Sequence, residues 1–354
     1  MRLRHLWLTD FRSYHQIEVD FPAGLTAIVG ANGEGKTNLL EGVAYLATLG
    51  SFRGAPVEAL VRQGCPAATV RAQIDREGRE LLIEAELAAK GRNRIQVNRQ
   101  RLTRARDLLG ALRVSVFAPD DLALVKAGPA ERRRYLDDTV VAAQPRYDAV
   151  RTEVSRILRQ RNALLQQAGG RLSDEVALTL DVWTAKLVEA GEELTRARLA
   201  LLDQLQPELV EAYGRLAGRA AQITAEYRSS WLGPDRIGDP TMDLGLARAL
   251  EASRDDVELT LDGLPARTHA SQGEQRTLAL ALRLAAHQVV TAAAGTAPLL
   301  LLDDVFSELD PDRSRALVES LGAAQTLLTT AGPLPPGAVP ERVLRIADGT
   351  IHPG

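Results

Sequence analysis

The segment Gly30-Ala31-Asn32-Gly33-Glu34-Gly35-Lys36-Thr37 constrains this chain more than any other. It follows the apolar run Ala27-Ile-Val29 and runs into Leu39, Leu40, Val43, Leu46 and Ala47, which recur at helical spacing, with Gly50 as a C-cap. A glycine-rich loop between a strand and a helix commits the chain to an α/β sheet with the loop at one strand end. Successive backbone N–H groups in such a loop converge on one spot, and the helix dipole adds to them, so the spot suits phosphate. Lys36 supplies a point charge for the terminal phosphates, and the Thr37 hydroxyl is a Mg2+ ligand. A chance glycine-rich turn would lack the flanking strand and helix.

Two distant segments complete the pattern. Pro298 to Leu302 reads as a buried parallel strand that delivers Asp303 to its C-terminal end, where open α/β sheets bind ligands. Asp303 is then a Mg2+ ligand, direct or through water, and Asp304 the carboxylate that polarises the attacking water. Alone, an apolar run before two aspartates is equally a strand end or a helix cap. Ser271-Gln272-Gly273-Glu274-Gln275 opens a helix directly before that strand. Ser271 is an ordinary N-cap residue, and the free N–H groups behind it form an anion site. Together the three segments read as one ATP site divided between two copies of the chain, which makes the nucleotide a dimerisation switch.

The 354 residues are 45% hydrophobic and 25% charged, a globular balance with room for one large or two ordinary domains. Cys65 is the only cysteine, which excludes an intramolecular disulfide and fits a reducing cytoplasm. The strand-like start, Met1-Arg-Leu-Arg-His-Leu-Trp-Leu, argues against a signal peptide, and the longest apolar runs look too short to span a bilayer. The five histidines show no metal-ligand clustering. Between Ala88 and Leu165, 17 Lys and Arg stand against 8 Asp and Glu, in a chain whose net charge is −3. That basic block carries Arg92, Arg94, Arg99, Arg101, Arg104, Arg106, Arg132, Arg133 and Arg134. Read from residues alone, it is a solvated arginine-rich face with i,i+4 pairs.

Strands are expected at Leu3–Leu8, Gln16–Phe21, Leu25–Val29, Val114–Phe117, Val257–Leu261 and Thr326–Thr329, with an edge strand at Arg342–Ile346. A hairpin is expected over Thr69–Leu87. The middle of the chain changes to helical text. Tyr147, Val150, Val154, Ile157, Arg161 and Leu164 keep 3/4 spacing up to Gly169-Gly170. Val176, Leu180, Trp183, Leu187, Ala190, Leu194, Ala197 and Leu201 form a strict 4-3-4-3 seam. These two helices, about 35 and 50 Å long, suggest an antiparallel hairpin projecting from an α/β head.

The order of phosphate loop, helical insertion, Ser-x-Gly-x-Gln helix and metal aspartate resembles the ATP-binding-cassette fold. Ser271 and Asp303 lie 32 residues apart, similar to chromosome-associated ATPases and longer than in transporters. Asp10-Phe-Arg-Ser-Tyr14, Pro119–Asp137 and Leu301–Asp310 are similar to stretches of the RecF family, with Ala127 where glycine is usual. The resemblance implies an ABC-type ATPase head (1–126 and 255–354), a P-loop NTPase with mixed sheet and flanking helices. A helical arm (127–254) like a short SMC coiled coil is inserted in it. It further implies that the signature residues 271–275 cap the phosphate of the opposite protomer, and that Ser307 and Asp310 form a D-loop at the dimer interface. Duplex or gapped DNA would be held through its backbone, Arg92, Arg94 and Arg132–Arg134 being contacts. RecR, with RecO, would be a partner in loading RecA, and no membrane would be involved. Asp304 replaces the usual glutamate, Thr329-Thr330 stand where a sensor histidine is common, and no glutamine sensor is evident near Phe117–Asp121, where Asp120 and Asp121 are the residues that could serve instead. Those departures imply slow hydrolysis, and the resemblance implies that it depends on DNA. The rival readings are a transporter ATPase subunit, an SMC-like DNA tether and a non-hydrolysing ATP-binding scaffold.

Overall fold

The computed structural model describes residues 1–76, 78–168, 173–228, 255–347 and 349–353. The expected break at Gly169-Gly170 and residues 229–254 of the expected arm lie outside them. The chain forms two compact units: Met1–Asp121 with Glu211–Ala220 and Leu280–Gly354, and Leu122–Val210 with Ala221–Ala279.

The first unit begins β1 (Arg2–Phe11), β2 (Tyr14–Asp20), β3 (Leu25–Val29) and α1 (Lys36–Thr48). It continues through β4 (Ala67–Arg76), β5 (Arg79–Ala88), β6 (Arg94–Val97), β7 (Gln100–Arg101) and β8 (Val114–Phe117). Next in the chain come the short α2 (Ala123–Lys126), α3 (Pro129–Ala143), α4 (Tyr147–Gln167) and the long α5 (Asp174–Ala217). Strands β9 (Ile223–Arg228), β10 (Asp256–Leu261) and β11 (Leu264–Pro265) precede α6 (Ala266–His269) and α7 (Gln272–Ala294). The last elements are β12 (Leu299–Asp303), α8 (Pro311–Ser320), β13 (Thr326–Thr330), β14 (Arg342–Ala347) and β15 (Thr350–Pro353).

Two six-stranded sheets build the first unit. One is antiparallel, ordered β2-β1-β4-β5-β6-β7; the other is ordered β15-β14-β3-β13-β12-β8, parallel except for β15. Residues 299–303 of β12 and 326–330 of β13 are buried throughout, as central strands covered on both faces require. Helix α1 is buried nearly all round, and Leu39, Leu40, Val43 and Leu46 join a core that takes side chains from both sheets. Gly42 allows its approach to β1, since a Cβ there would lie 2.8 Å from Leu8 Cδ2.

In the second unit the seam is intramolecular: Val154 and Ile157 of α4 pack with Leu187 and Leu194 of α5. Helix α5 runs past Leu201, the last residue of the expected seam, and through Pro207, because Leu205, Leu209, Ala212, Tyr213 and Leu216 extend its buried stripe. Strands β11-β10-β9 form a small antiparallel sheet, of which only β10 was expected.

Two expectations need correction. Arg342–Ile346 is not an edge, because a turn through Gly349 (φ 69°) returns β15 antiparallel to β14, pairing Ile351 with Ile346. Helix α7 is long and apolar enough, by length and composition, to cross a bilayer. Its Leu278, Leu282, Ala285 and Val289 are instead buried inside the protein.

Candidate functional site

Strand β3 ends in the glycine-rich loop, with β13 between it and β12. The parallel register therefore presents residues 29–37, 303–304 and 329–330 at one end of the sheet. Gly30 is required by crowding: a Cβ would lie 2.5 Å from the Ile346 carbonyl oxygen. Gly35 has φ 103°, and a Cβ there would lie 2.7 Å from Ser13 Oγ. Lys36 is 7% exposed, and its Nζ donates to the carbonyls of Gly30 and Ala31, both at 2.8 Å, which folds the loop over the ammonium.

Thr37 Oγ1 donates to Asp303 Oδ1 at 2.8 Å, joining the loop to β12. Thr329 Oγ1 donates to the same carboxylate oxygen at 2.9 Å and accepts from the Asp304 N–H at 3.0 Å. Burial pushes the Asp303 pKa up, and the hydrogen bonds from Thr37 and Thr329 and the charge of Arg53 oppose that shift. A buried carboxylate beside a threonine hydroxyl is a hard-oxygen pair, and both fit Mg2+. No cluster of three or more His, Cys, Asp or Glu able to hold a metal occurs among the described residues, so most other ligands would be water and phosphate.

Gly35, Lys36, Thr37 and Asp303 line an open cleft of about 290 Å3 with Asn32, Gly33, Asn38, Arg53 and Asp304. Asp304 is half-buried in a left-handed conformation (φ 49°), uncommon for a side-chain-bearing residue, and its carbonyl accepts from Ser307 Oγ at 2.8 Å. Asp310 caps α8, accepting from the Arg313 N–H at 2.9 Å. Sequence reasoning missed Arg53, which brings a cation to the cleft from the loop after α1. Asp121, weighed as a sensor, is buried, accepts from Arg283 Nη2 at 2.6 Å and from the Ala118 N–H, and so braces β8 against α7. Thr330 accepts from the Gly332 N–H at 3.1 Å, in a turn.

In the second unit, Ser271 is exposed at the start of α7 and forms a capping box. Its N–H and Oγ donate to Glu274 Oε2 at 2.9 and 2.8 Å, and the Glu274 N–H returns to Ser271 Oγ at 3.3 Å. Gln272 is exposed and Gly273 half-buried. Gln275 is buried, and its Nε2 donates to the Ala266 and Arg267 carbonyls at 3.0 Å, so it holds α6 and offers nothing outward.

The basic residues divide sharply. Arg92 and Arg94 are exposed around the β5–β6 turn, Arg94 3.5 Å from Glu86 Oε1, and Arg99 and Arg101 are exposed on the same edge of the antiparallel sheet. Arg132 is buried: it makes a bidentate pair with Asp256 (2.7 and 3.0 Å) and donates to the Leu124 and Ala127 carbonyls. Arg133 Nη1 donates to the Asp255 carbonyl at 2.7 Å. Beside them Arg198 makes a bidentate pair with Asp137, and Tyr227 Oη donates to Asp255 Oδ2 at 2.6 Å. Arg134 stays half-exposed, 3.8 Å from both Glu131 and Asp138.

Residues 2–330 match the RecF/RecN/SMC N-terminal domain family. The chain is 42% identical to the DNA replication and repair protein RecF of Streptomyces avermitilis, covering 99% of this chain and all of that one. It is 44% identical to the protein of that name from Kineococcus radiotolerans, over 97% and 94% of the two chains. Among solved structures, the recombination mediator protein RecF with ATP, of the RecFOR pathway, superposes with a TM-score of 0.87 at 26% identity, over 99% and 97% of the chains. The SMC head domain of Pyrococcus furiosus, at 18% identity and a TM-score of 0.57, shares the fold. This chain belongs to the RecF family, on an ABC-type ATPase fold.

Proposed function

We propose that the chain is an ATP-dependent DNA-binding repair protein whose nucleotide closes a homodimer on DNA. The observation that carries this reading is the cleft in which Lys36, Thr37, Asp303 and Asp304 converge, with Thr37 and Asp303 bonded at 2.8 Å. ATP would lie with its phosphates on residues 30–37. Mg2+, held by Thr37 and Asp303, would neutralise charge on the phosphates. Asp304 would orient the attacking water, and slow, DNA-dependent turnover would reopen the clamp. The exposed capping box at Ser271–Glu274 would meet the phosphate of a second protomer, with Ser307 and Asp310 near that interface. Gln275 supports it from behind by holding α6. In this reading 1–126 and 255–354 form the head and 127–254 the arm. The cell compartment is the cytoplasm, and RecR, with RecO, is the partner with which the protein promotes RecA loading at single-strand gaps.

The DNA surface is reassigned within the basic block. Arg132 and Arg133 are engaged with Asp256 and the Asp255 carbonyl, so phosphate contact falls to Arg92, Arg94, Arg99 and Arg101, with Arg134 as an outlying cation. Few aromatics lie in the block, which favours duplex backbone over stacked single strands. Reversing two exposed charges, Arg92→Glu with Arg101→Glu, should weaken duplex binding. It should also lower the slope of log affinity against log salt by about two, at an unchanged unfolding midpoint. Unchanged affinity and slope would move the DNA surface elsewhere.

A further inference from the structure

The turn joining β1 to β2 lies along the start of α1, and its three residues bond in succession to positions three apart. Tyr14 Oη donates to the Gly35 carbonyl at 2.9 Å, Asn38 Nδ2 donates to Ser13 Oγ at 2.9 Å, and Arg12 pairs with both carboxylate oxygens of Glu41 at 2.7 and 2.9 Å. Residues spaced by three share one helix face, so the turn grips a single ridge of α1. Tyr14 and Glu41 are both 0% exposed. The turn is itself fixed from behind. Arg12 Nη1 donates to the Ala59 carbonyl, the Arg12 N–H to the Leu60 carbonyl and the Arg62 N–H to the Asp10 carbonyl. Asp10 and Arg12 both have positive φ (48° and 54°), a conformation that these contacts hold in place.

The consequence for the cleft follows from peptide geometry. The Gly35 carbonyl and the Lys36 N–H belong to one planar trans peptide and point in opposite directions. Anchoring that carbonyl on Tyr14 fixes where the Lys36 N–H is aimed. Burial raises the Tyr14 pKa, which keeps the phenol a donor. Glu41 also accepts from Ser51 Oγ, which accepts from the Arg53 N–H at 3.1 Å. The same buried carboxylate thus orders the loop that carries Arg53 to the cleft.

We propose that Arg12, Ser13 and Tyr14 are positioning residues, a clamp that sets the phosphate loop and Arg53 for a nucleoside triphosphate before it arrives. This rests on the reading of the cleft as a nucleotide site. None of the three lines the cleft; the clamp contributes affinity by removing the ordering cost of the loop on binding.

The test is a fluorescent ATP-analogue titration of wild type, Tyr14→Phe and Ser13→Ala, with thermal unfolding of each measured without nucleotide. Tyr14→Phe keeps the ring and loses one hydrogen bond, so its Kd should rise about fivefold. Ser13→Ala, at an exposed position, should raise Kd about twofold to threefold. Both midpoints should stay within about 2 °C of wild type. Wild-type affinity in both variants would overturn the clamp, whatever their midpoints, and reduce the turn to packing. If Tyr14→Phe does not fold, Ser13→Ala decides alone. A wild type that binds no ATP analogue would overturn the nucleotide site itself, a result distinct from equal binding by all three proteins.

Discussion

Asp304→Asn should bind ATP as wild type does and lose at least about a hundredfold in turnover, the effect of removing a group that takes part in proton transfer. The substitution is a clean one here. Asp304 has φ 49° and ψ 28°, and asparagine tolerates the left-handed region as readily as aspartate. The main-chain bonds that seat residue 304, from its N–H to Thr329 and from Ser307 to its carbonyl, survive the change. What disappears is a carboxylate at the cleft, beside Asp303. Steady-state phosphate release, paired with equilibrium nucleotide binding, separates the two effects. An unchanged rate would remove Asp304 from the chemistry and favour a scaffold that hardly turns over.

Arg132→Ala should destabilise the protein by about 3 kcal/mol, in the range for breaking a buried ion pair by deleting one partner. The low end applies because the Asp256 side chain keeps 30% exposure, whereas Arg132 keeps 8%. The loss leaves the Asp256 carboxylate with the Val257 N–H but without the guanidinium, and takes the same guanidinium from the carbonyls of Leu124 and Ala127. Arg132→Lys should recover only part of the stability, since an ammonium cannot reproduce the bidentate geometry. Urea unfolding gives the difference directly. A variant as stable as wild type but deficient in DNA binding would return Arg132 to the DNA surface.

The contrast between Arg132 and Arg101 marks where sequence reading stops. Arg132 and Arg133 look like part of a solvated cationic face because their partners are remote in sequence: Asp256 is 124 positions from Arg132 and Asp255 122 from Arg133. Nothing local distinguishes an arginine that meets a buried carboxylate from one that meets water. The phosphate loop, Asp303 and Ser271 were legible for the opposite reason. Each sits where a strand or loop passes into a helix or a turn, and the apolar pattern on either side fixes its place in the sheet. Thr329 was noted as the occupant of a sensor position, but its bond to Asp303 depends on β13 lying between β3 and β12, a strand order that no single segment declares. Arg53 reaches the cleft, and Tyr14 the Gly35 carbonyl behind it, through tertiary packing around α1. Strand β9 escaped because six residues with moderate alternation resemble loop text until β10 pairs with them. The helical seam was read correctly in register and too short in extent: the seam was followed only to Leu201, and the buried stripe continues past it through Pro207.

The central claim is that the nucleotide is a dimerisation switch whose site two protomers complete. Analytical sedimentation of wild type and Ser271→Arg, each without nucleotide, with ADP and with ATP plus Mg2+, tests it most directly. Ser271 is exposed and its side chain bonds only within its own capping box, so the variant should fold and load ATP. The account predicts a wild type that is monomeric except with ATP, and a variant that binds ATP yet stays monomeric. An ATP-loaded wild type that remains a monomer, even on gapped DNA, would contradict it.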